Sequence, residues 1–520
     1  MAVLDAPTAT LLIFAVTVVG YYLHNAFSKK RNYPPGPKGW PIIGNALDVP
    51  AEKTWRYFEK LSHEYGPIVR LSMGGEEIIV LSDPKDCEEL LGRRSHNYSS
   101  RRPLIYAGKY QSGNKRMLLL RYGPVLKRQR AAFHQMLQPR VVGGYEAIQH
   151  AESAKLLNDM LVRPQDIVRN CKRFAASLVF NLSYGRRLGD DDKDLQAVED
   201  ILENFIRNTY PGSHLVDSFP ILDLLPDFLS PWRKEARKRH EVELALYKRL
   251  ADDVKYRMEN GNEAVECFTA RLWEQKDKIG IDLYDLYYTS GTAFEAGTDT
   301  MAASLLWFLQ AMVLYPHTQA KAQAELDRVL GADGETIPTL KHLDDLPYCV
   351  ALVKEIFRWE PAAPGGFPHY SDADDEYKGY FIRANSTIVP CTWNMHHDEK
   401  VYPNSYTFDP ERFYDPNKPA GTEHDPLTEG HYSFGFGRRK CPGLHLGSRT
   451  VWIGIVRLLW AFNFTSDYDE QGRLVGVDPE KCTSGMTSKP EEFPLHITPR
   501  SANHVKTIKR EWEAQQAGSA

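Results

Sequence analysis

The sequence lacks the paired cysteines that build disulfide frameworks and zinc sites. Its seven cysteines are odd in number and widely scattered, and none belongs to a C-x-x-C pair. It also lacks an excess of basic residues, since 64 lysines and arginines are set against 68 acidic residues, for a formal net charge of -4 at pH 7. We therefore expect a chain from a reducing compartment, with no nucleic acid among its partners.

Internal repeats, low-complexity tracts and a second composition regime are absent as well. With 42% hydrophobic and 25% charged residues, the chain has the composition of an ordinary globular protein. We predict one large folded domain over residues 32–510 rather than two domains. The polar tail after Arg500 is expected to fray, with residues 511–520 disordered.

Charged residues are missing between Ala6 and Phe27. A helix of about 20 apolar residues spans a bilayer, so this stretch is long enough to do so. Basic residues 29–31 follow it and only Asp5 precedes it, which by the positive-inside rule leaves the domain in the cytosol. We predict one transmembrane anchor helix within residues 1–31. A cleaved signal peptide is the competing interpretation, but the basic segment and the cleavage site that it needs are missing.

The rest of the chain is predicted to be mainly α-helical with small β-sheets. Short alternating apolar stretches at 68–71 and 77–81 indicate a small sheet, because each is bounded by turn residues. Apolar residues spaced three and four apart indicate the helices. These helices are predicted over residues 126–137, 174–182, 235–257, 283–315, 346–358 and 444–462.

The decapeptide FGFGRRKCPG at residues 434–443 contains the most informative cysteine, Cys441. Pro442 is placed to open the apolar helix that follows, so Cys441 is expected at a helix N-terminus, where unpaired backbone N–H groups favour a thiolate. The basic residues just before it are expected to lower the pKa of this cysteine further. The glycines of the segment permit tight turns and a close approach to a flat cofactor.

This segment resembles the haem-binding signature of the cytochrome P450 family, F-x-x-G-x-R-x-C-x-G. The matching residues are Phe434, Gly437, Arg439, Cys441 and Gly443. The resemblance implies a cytochrome P450 fold with haem b as cofactor, Cys441 as the axial ligand of the iron and Arg439 as a partner of a haem propionate. A thiolate ligand favours cleavage of the O–O bond. Gly435 is expected in the same cofactor site. A buried cysteine that caps a helix is the alternative interpretation.

The segment AGTDT at residues 296–300 lies inside a long predicted helix, where a glycine and an acid are locally unfavourable. It resembles the family's oxygen-activation motif, A/G-G-x-D/E-T. The resemblance implies that Thr300 hydrogen-bonds the oxygen that is activated and that Asp299 relays protons. Ala296 and Gly297 are expected on the haem face of this helix. The alternative is a kinked helix with Asp299 at the surface.

Two Glu-x-x-Arg pairs at helical spacing are interpreted differently. Glu325 and Arg328 are predicted to form a solvated surface pair of little energetic value. Glu355 and Arg358 are followed by a segment that resembles the family's P-E-R-F, and the resemblance implies that Arg412 of that segment completes a Glu-Arg-Arg cluster. We predict that this cluster stabilises the core and takes no part in the chemistry.

The resemblance implies further contacts with the haem propionates. In the family's C helix a Trp-x-x-x-Arg pair meets a propionate, and here Leu126 stands in the tryptophan position while Arg130 keeps the arginine role. His369 and either Arg101 or Arg102 are the other expected partners. A surface location is the alternative for each of them.

The resemblance also implies the reaction and its partners. We expect insertion of one oxygen atom of O2 into a hydrophobic small molecule, with electrons from NADPH delivered by a membrane-bound NADPH-cytochrome reductase and with cytochrome b5 as a second candidate donor. Lys127, Arg128 and Lys440 are predicted to form a basic docking surface for the reductase. The similarity to microsomal members of the family implies the endoplasmic reticulum membrane as the location.

Small residues are expected to border the substrate pocket and to leave room for a bulky ligand. These residues are Ala293, Gly365 and Gly366. Similarity to fungal biosynthetic members leads us to predict a polycyclic terpenoid or aromatic natural product as substrate. The alternatives are a xenobiotic or fatty-acid hydroxylase, a haem protein that binds ligands without oxygenating them, and a member that rearranges peroxides without a reductase. The intact Asp299–Thr300 pair argues against the last two.

Overall fold

The computed structural model describes residues 31–190, 192–210, 212–261, 265–415 and 427–517. Most of these residues are helical. The long helices are α1 (Thr54–Tyr65), α2 (Pro124–Leu137), α3 (Glu146–Val162), α4 (Ile167–Tyr184), α5 (Lys193–Thr209), α6 (Pro231–Asn260), α7 (Phe268–Ile279), α8 (Leu283–Leu314), α9 (Pro316–Leu330), α10 (Pro347–Trp359), α11 (Leu444–Ala461) and α12 (Ala502–Ala517).

Short helical segments connect the long helices. The short α-helices are Pro84–Cys87, Ser95–Tyr98, Pro139–Val142, Leu215–Ser218 and Thr392–His396. The π-helical segments are Glu88–Arg93 and Ile105–Gln111. Single 3-10 turns are Gly143–Tyr145, Pro220–Leu224, Asp227–Leu229, Leu340–His342, Pro410–Arg412 and Gly437–Arg439.

The strands form three small sheets. They are β1 (Ile68–Met73), β2 (Glu76–Leu81), β3 (His369–Tyr370), β4 (Asp375–Tyr377), β5 (Tyr380–Ile382), β6 (Thr387–Pro390), β7 (Phe462–Thr465) and β8 (His496–Pro499). The largest sheet has the order β1-β2-β6-β3, in which β2 and β6 are parallel and the other pairs are antiparallel. Strands β4 and β5 pair with each other, as do β7 and β8. The fold is therefore mainly α with small β-sheets, as the sequence predicts.

Helix α8 lies at the centre of the core. Its second half, Met301–Val313, is buried throughout. The helix as a whole packs against α4, α6 and α11. The first half approaches α4 closely at Gly297, where an ideal Cβ would lie only 2.5 Å from Cγ1 of Val179. Because no real side chain tolerates such a contact, glycine at this position sets how near the two helices come.

The elements predicted from apolar spacing are confirmed. The predicted helices fall on α2, α4, α6, α8, α10 and α11, and the two predicted strands fall on β1 and β2. Among the residues that the structure describes, no helix is both long enough and apolar enough to cross a membrane. The predicted anchor at 1–31 lies outside the described residues except for Arg31.

The prediction of a frayed tail after Arg500 is wrong, because α12 continues to Ala517 and includes most of the segment predicted to be disordered. His504 and Ile508 are buried against the domain. The ring of Trp512 also receives two cations of the domain, Lys155 Nζ at 5.3 Å and Arg187 Cζ at 5.4 Å from its centroid. Sparse apolar residues within a polar sequence thus suffice to dock this helix.

Candidate active site

A cavity of about 360 Å³ lies between α8 and the segment that contains Cys441. It brings together most of the residues predicted for the site. The predicted residues that line it are Arg101, Arg130, Ala293, Ala296, Gly297, Asp299, Thr300, Gly366, His369, Phe434, Gly435, Arg439, Cys441 and Gly443. Segments almost 350 residues apart in sequence therefore converge on one space.

The backbone before Cys441 forms a tight loop. The Cys441 N–H donates to the carbonyl of Phe434 across 2.9 Å, which closes the loop. Gly437 has φ +55°, and an ideal Cβ there would lie 1.9 Å from the carbonyl oxygen of Leu91. Only glycine fits at that position. Gly437 therefore shapes the loop without lining the cavity, whereas Gly435 lines it.

The expected lowering of the Cys441 pKa is wrong for the protein without a metal. Burial raises the pKa of this thiol, and the backbone N–H of Gly443 together with Arg130 and Lys440 offsets that effect only in part. Pro442 is also not the first helical residue, because α11 begins at Leu444 with Gly443 as its N-cap. A metal ion that coordinates a thiol deprotonates it outright, so iron bound at Cys441 would favour its thiolate.

Three arginines meet the cavity without a carboxylate partner among the described residues. Arg101 donates to the carbonyls of Phe367, Pro368 and Leu118. Arg439 donates to the carbonyls of Ser99, Met117 and Leu120. Arg130 donates to the carbonyl of Lys440 across 2.8 Å.

Burial, together with repulsion from the other two arginines, lowers the pKa of Arg439 to about 8. Burial and repulsion from Arg130 lower the pKa of Arg101 to about 9. A guanidinium is seldom deprotonated in proteins, so these directions mean that the site holds positive charge at an energetic cost. The cluster is thus a place for a group with negative charge.

His369 adds a neutral hydrogen-bonding group to this end of the cavity. It lies in β3, its Nδ1 is 2.7 Å from the carbonyl of Tyr98, and burial, with a contribution from Arg101, lowers its pKa well below the usual value. Arg102, which the sequence could not separate from Arg101, instead pairs with Glu76 at 2.7 Å. Arg101 is therefore the arginine that meets the cavity.

These residues fit the haem that the resemblance implies. The sulfur of Cys441 offers the ligand that iron takes in thiolate haem proteins, and the arginine cluster offers uncompensated positive charge for the two propionates. Leu126 does not take part, since its side chain is buried in the core. Leucine cannot make the hydrogen bond that the family's tryptophan makes with a propionate, while Arg130 on the same helix does line the cavity.

The motif in α8 places its acid and its hydroxyl at the cavity. Thr300 Oγ1 donates to the carbonyl of Ala296 across 3.0 Å, and α8 continues through this point. Asp299 accepts a hydrogen bond from the hydroxyl of Thr487 and lies 3.7 Å from Nζ of Lys489. Thr487 and Lys489 were not predicted from the sequence. Thr487 lies 188 positions from Asp299, and a contact between such distant residues leaves no local pattern.

The predicted Glu-Arg-Arg cluster is confirmed, with Glu355 and Arg358 fully buried and the Arg412 side chain 10% exposed. Arg358 meets Glu355 with two bonds of 2.7 Å, and Arg412 Nε lies 3.4 Å from the same carboxylate. Because none of these residues lines the cavity, the cluster stabilises the core below the site.

The prediction that Glu325 is a surface residue is wrong. Its carboxylate accepts from the backbone N–H groups of Tyr348 and Cys349 at 2.9 Å, and so caps α10.

A second charged cluster at the cavity, centred on Arg116, was not predicted from the sequence. Arg116 is 2% exposed and forms ion pairs with Glu243 and Glu295. Both Arg116 and Glu295 line the cavity. One signal was present, since Glu295 is an acid inside the apolar sequence of α8, one turn before Asp299.

The predicted basic surface is altered by the structure. Lys127 and Arg438 flank the ring of Tyr122, at 4.9 Å and 5.0 Å from its centroid, and the nearby Lys440 is also exposed. Arg128 lies instead beside Gly280 at the end of α7. Arg438 is therefore the better companion of Lys127 on this surface.

Comparison with known proteins agrees with this site. A family model described as Cytochrome P450 matches residues 34–492. A cytochrome P450 monooxygenase of Armillaria gallica is 33% identical over 510 residues, which cover 96% of each chain. Cytochrome P450 monooxygenase fogE of Aspergillus ruber is 32% identical over 97% of this chain and 94% of its own. Cytochrome P450 monooxygenase claR of Ampulloclitocybe clavipes is 34% identical over 96% of this chain and 93% of its own.

Proposed function

Because the chain belongs to the cytochrome P450 family, we propose that it oxidises a polycyclic terpenoid or an aromatic natural product in secondary metabolism. The family and the similar proteins give the reaction class: the chain is a haem-thiolate monooxygenase that inserts one oxygen atom of O2 into a hydrophobic small molecule. Fungal origin of the similar proteins and small residues in the pocket wall support the proposed substrate class.

The observation that carries this function is the shared cavity of Cys441, the arginine cluster and the motif in α8. When bound through Cys441, haem supplies the activation of O2. Arg101, Arg130 and Arg439 would hold its propionates by charge-assisted hydrogen bonds. Apolar side chains around the rest of the space exclude water and orient the substrate.

Thr300 and Asp299 are proposed to deliver protons to the oxygen that is activated at this site. Thr300 Oγ1 is bound to a backbone carbonyl of its own helix, so it can rotate towards the cavity at the cost of one weak bond. Asp299 is held by Thr487 and Lys489 at the edge of the cavity, which keeps a carboxylate within reach of both solvent and Thr300. This arrangement suits a general acid that solvent protonates again after each proton transfer.

The central test is the carbon monoxide difference spectrum of the reduced protein, with Cys441→Ser as the comparison. We expect the red-shifted Soret band of a thiolate ligand in the wild type and its loss in the variant. A preparation without haem, or an unchanged band of the imidazole type in the variant, would contradict the assignment of Cys441.

Replacing Thr300 by alanine distinguishes a monooxygenase from a haem protein that only binds ligands. We expect NADPH and O2 to be consumed with little product, because protons then reach oxygen without control. If the variant forms as much product per O2 consumed as the wild type, Thr300 takes no part in the mechanism. A member that rearranges peroxides would form product without any reductase.

The substrate class is tested by product profiling in membranes, with polycyclic terpenoids, aromatic polycycles and fatty acids supplied in parallel. We expect turnover of the first two groups, because the residues of the cavity wall near α8 are small. Turnover confined to fatty acids would reject the proposed class and favour the fatty-acid hydroxylase alternative.

NADPH-cytochrome reductase is proposed as the electron donor, with cytochrome b5 as a second candidate. The exposed basic residues around Tyr122, namely Lys127, Arg438 and Lys440, support an acidic partner at this face. Reconstitution with purified reductase, with and without cytochrome b5, tests both donors through the rate of haem reduction.

A single-pass location in the endoplasmic reticulum membrane, with the domain in the cytosol, is proposed from the apolar stretch at 6–27. An exposed apolar surface on the domain supports contact with the membrane. Its residues between α5 and α6 include Leu215, Ile221, Leu224, Phe228 and Leu229, of which Phe228 is 83% exposed. Removal of residues 1–31 should release the domain from salt-washed membranes only in part, whereas full release would limit membrane contact to the anchor.

A further inference from the structure

The cavity has a polar wall that the oxygen-activation chemistry does not use. Arg116 in the segment before α2 reaches between α6 and α8, where its Nη2 lies 2.8 Å from Glu243 and its Nη1 meets Glu295. Tyr247 donates its hydroxyl to Glu295, and Gln111 donates to Glu243 across 2.6 Å. This network fixes the guanidinium at the cavity surface, although every group in it is buried.

Thr292 belongs to the same wall and supplies an independent observation. It precedes Glu295 by three residues, so the two side chains share one face of α8. Thr292 is 6% exposed and lines the cavity. Its Oγ1 has no hydrogen-bond partner among the described residues. A buried hydroxyl without a partner costs free energy unless a ligand satisfies it.

We propose that Thr292, Arg116 and Glu295 form a recognition subsite for one neutral oxygen-bearing group, a hydroxyl or a carbonyl, on an otherwise apolar substrate. This inference rests on the proposed monooxygenase function and specifies its substrate further. Arg116 retains N–H donors beyond those used for its two carboxylates, and Thr292 can donate or accept.

Charge balance determines which groups this subsite accepts. One guanidinium is paired with two carboxylates, so the buried cluster has no positive charge to spare for an anion. A substrate carboxylate would meet Glu295, which lines the cavity, as a like charge at short range. The subsite therefore selects against acids, in contrast to the cluster of Arg101, Arg130 and Arg439.

The position of the subsite along α8 also restricts where the substrate is oxidised. Glu295 precedes Thr300 by five residues and Thr292 precedes it by eight, which corresponds to about 8 Å and about 12 Å along the helix axis. A group bound at the subsite would thus hold the molecule with a carbon roughly 8 to 12 Å away facing the oxygen-activation residues. Substrates with their polar group much nearer to the oxidised carbon would not fit this arrangement.

The test uses ligands that bind the haem iron through imidazole, because their affinity is measurable before the natural substrate is known. The probes are 1-alkylimidazoles with butyl, hexyl, octyl or decyl chains, the same molecules with a terminal hydroxyl, and the same molecules with a terminal carboxylate. Spectral titration of the full-length haem-bound protein gives each dissociation constant. Thr292→Val removes the hydroxyl at nearly constant volume, and Thr289→Val is the matched control, since that buried hydroxyl donates to the carbonyl of Asp285 and does not line the cavity.

We expect one chain length at which the alcohol binds wild-type protein at least as tightly as the alkyl probe. Thr292→Val should weaken that alcohol about fivefold to tenfold, as expected for one hydrogen bond, and leave the alkyl probe unchanged. Thr289→Val should change neither. The terminal carboxylate should bind more weakly than the alcohol to the wild type.

Two results would overturn the subsite while the proposed function stands. One is an alcohol-to-alkyl affinity ratio that Thr292→Val leaves unchanged at every chain length. The other is a carboxylate that binds more tightly than the alcohol, which would mean that the charge of Arg116 remains available. Failure of every imidazole probe to shift the Soret band would instead contradict the haem-thiolate site, and with it the subsite.

Discussion

The cavity has two arginine clusters that differ in what balances their charge. Arg116 is paired with two carboxylates of the protein, and the pKa of its guanidinium is raised because Glu243 and Glu295 outweigh the opposing effect of burial. Arg101 and Arg439 meet only backbone carbonyls among the described residues, and burial lowers the pKa of both. The charge of the first cluster is balanced by the protein itself, whereas the charge of the second is balanced only when an anion binds.

This difference separates folding from cofactor binding. Removal of one member of a buried ion pair leaves an uncompensated charge in the core, which strongly destabilises a protein. Removal of a buried cation that has no counter-charge relieves a cost and affects mainly the ligand that would have supplied the charge. We therefore expect the two clusters to respond in opposite ways to the same kind of substitution.

The largest effect is expected for Arg116→Met. Glu243 and Glu295 would stay buried without their cation, and we expect the free energy of unfolding to fall by about 3 to 5 kcal/mol. The midpoint of urea denaturation of the purified protein measures this loss. Arg207→Met is the control, because its pair with Glu203 is exposed, and it should change the midpoint little. Equal losses in both variants would show that the cluster does not support the fold.

Arg130→Met should affect haem rather than folding. Its guanidinium makes one backbone contact and faces the cavity, so we expect haem to dissociate about tenfold to one hundredfold faster, the value of one charge-assisted hydrogen bond. Transfer of haem to an excess of apomyoglobin measures the rate. Arg128→Met, on the same helix but outside the cavity lining, is the control. Unfolding without haem loss in Arg130→Met would contradict the distinction between the clusters.

The two clusters also differ in how far the sequence could predict them. The family resemblance predicted Arg130, Arg439 and His369, because each lies in or near a family motif that is contiguous in sequence. Arg116 and Glu243 belong to no motif, and their pairing depends on how α6 and α8 pack around the segment before α2. Only Glu295, an acid in an apolar helix, gave a local signal.

Local signals also misled where burial reverses their sign. Lys440 beside Cys441 does lower its pKa, as does Arg130, but burial raises the pKa by more, and a sequence contains no direct measure of burial. Glu325 resembles a surface residue in its helical spacing, yet the chain folds α10 onto it as a capping partner. The helices themselves were predictable because apolar periodicity is a property of contiguous sequence.

Arg457, a buried arginine outside the cavity lining, sharpens the comparison. Arg457 donates to the carbonyls of Pro338 and His150 and to Ser153 Oγ, each at 2.9 Å, and burial lowers its pKa to about 10. Beside it, burial and then repulsion from Arg457 lower the pKa of His150 to about 4. Hydrogen-bond acceptors alone therefore hold this single arginine in the core, whereas Arg101, Arg130 and Arg439 share one cavity and repel one another, which favours an anion there.

His150→Gln tests this environment through pH. His150 is neutral when folded down to about pH 4, whereas the unfolded chain binds the proton near 6.5, so stability is lost as the pH falls between those values. Removal of this one group should flatten the slope by at most about 1.4 kcal/mol per pH unit. Urea denaturation at pH 7, 6 and 5 measures it, with the exposed His63→Gln as control. An unchanged slope would mean that His150 is solvated.

The smallest effect is expected where arginine and lysine charges are exposed. Lys127 flanks Tyr122 together with Arg438, whereas Arg128 on the same helix lies beside Gly280, so Lys127→Glu should slow electron transfer from the reductase more than Arg128→Glu does. We expect about twofold to fivefold at low salt, disappearing at high salt, because exposed charges steer encounter and are screened. Stopped-flow reduction under carbon monoxide measures both variants. Since neither residue lines the cavity, haem content should stay unchanged in both variants. Equal slowing by the two variants would place the docking surface across both sides of α2.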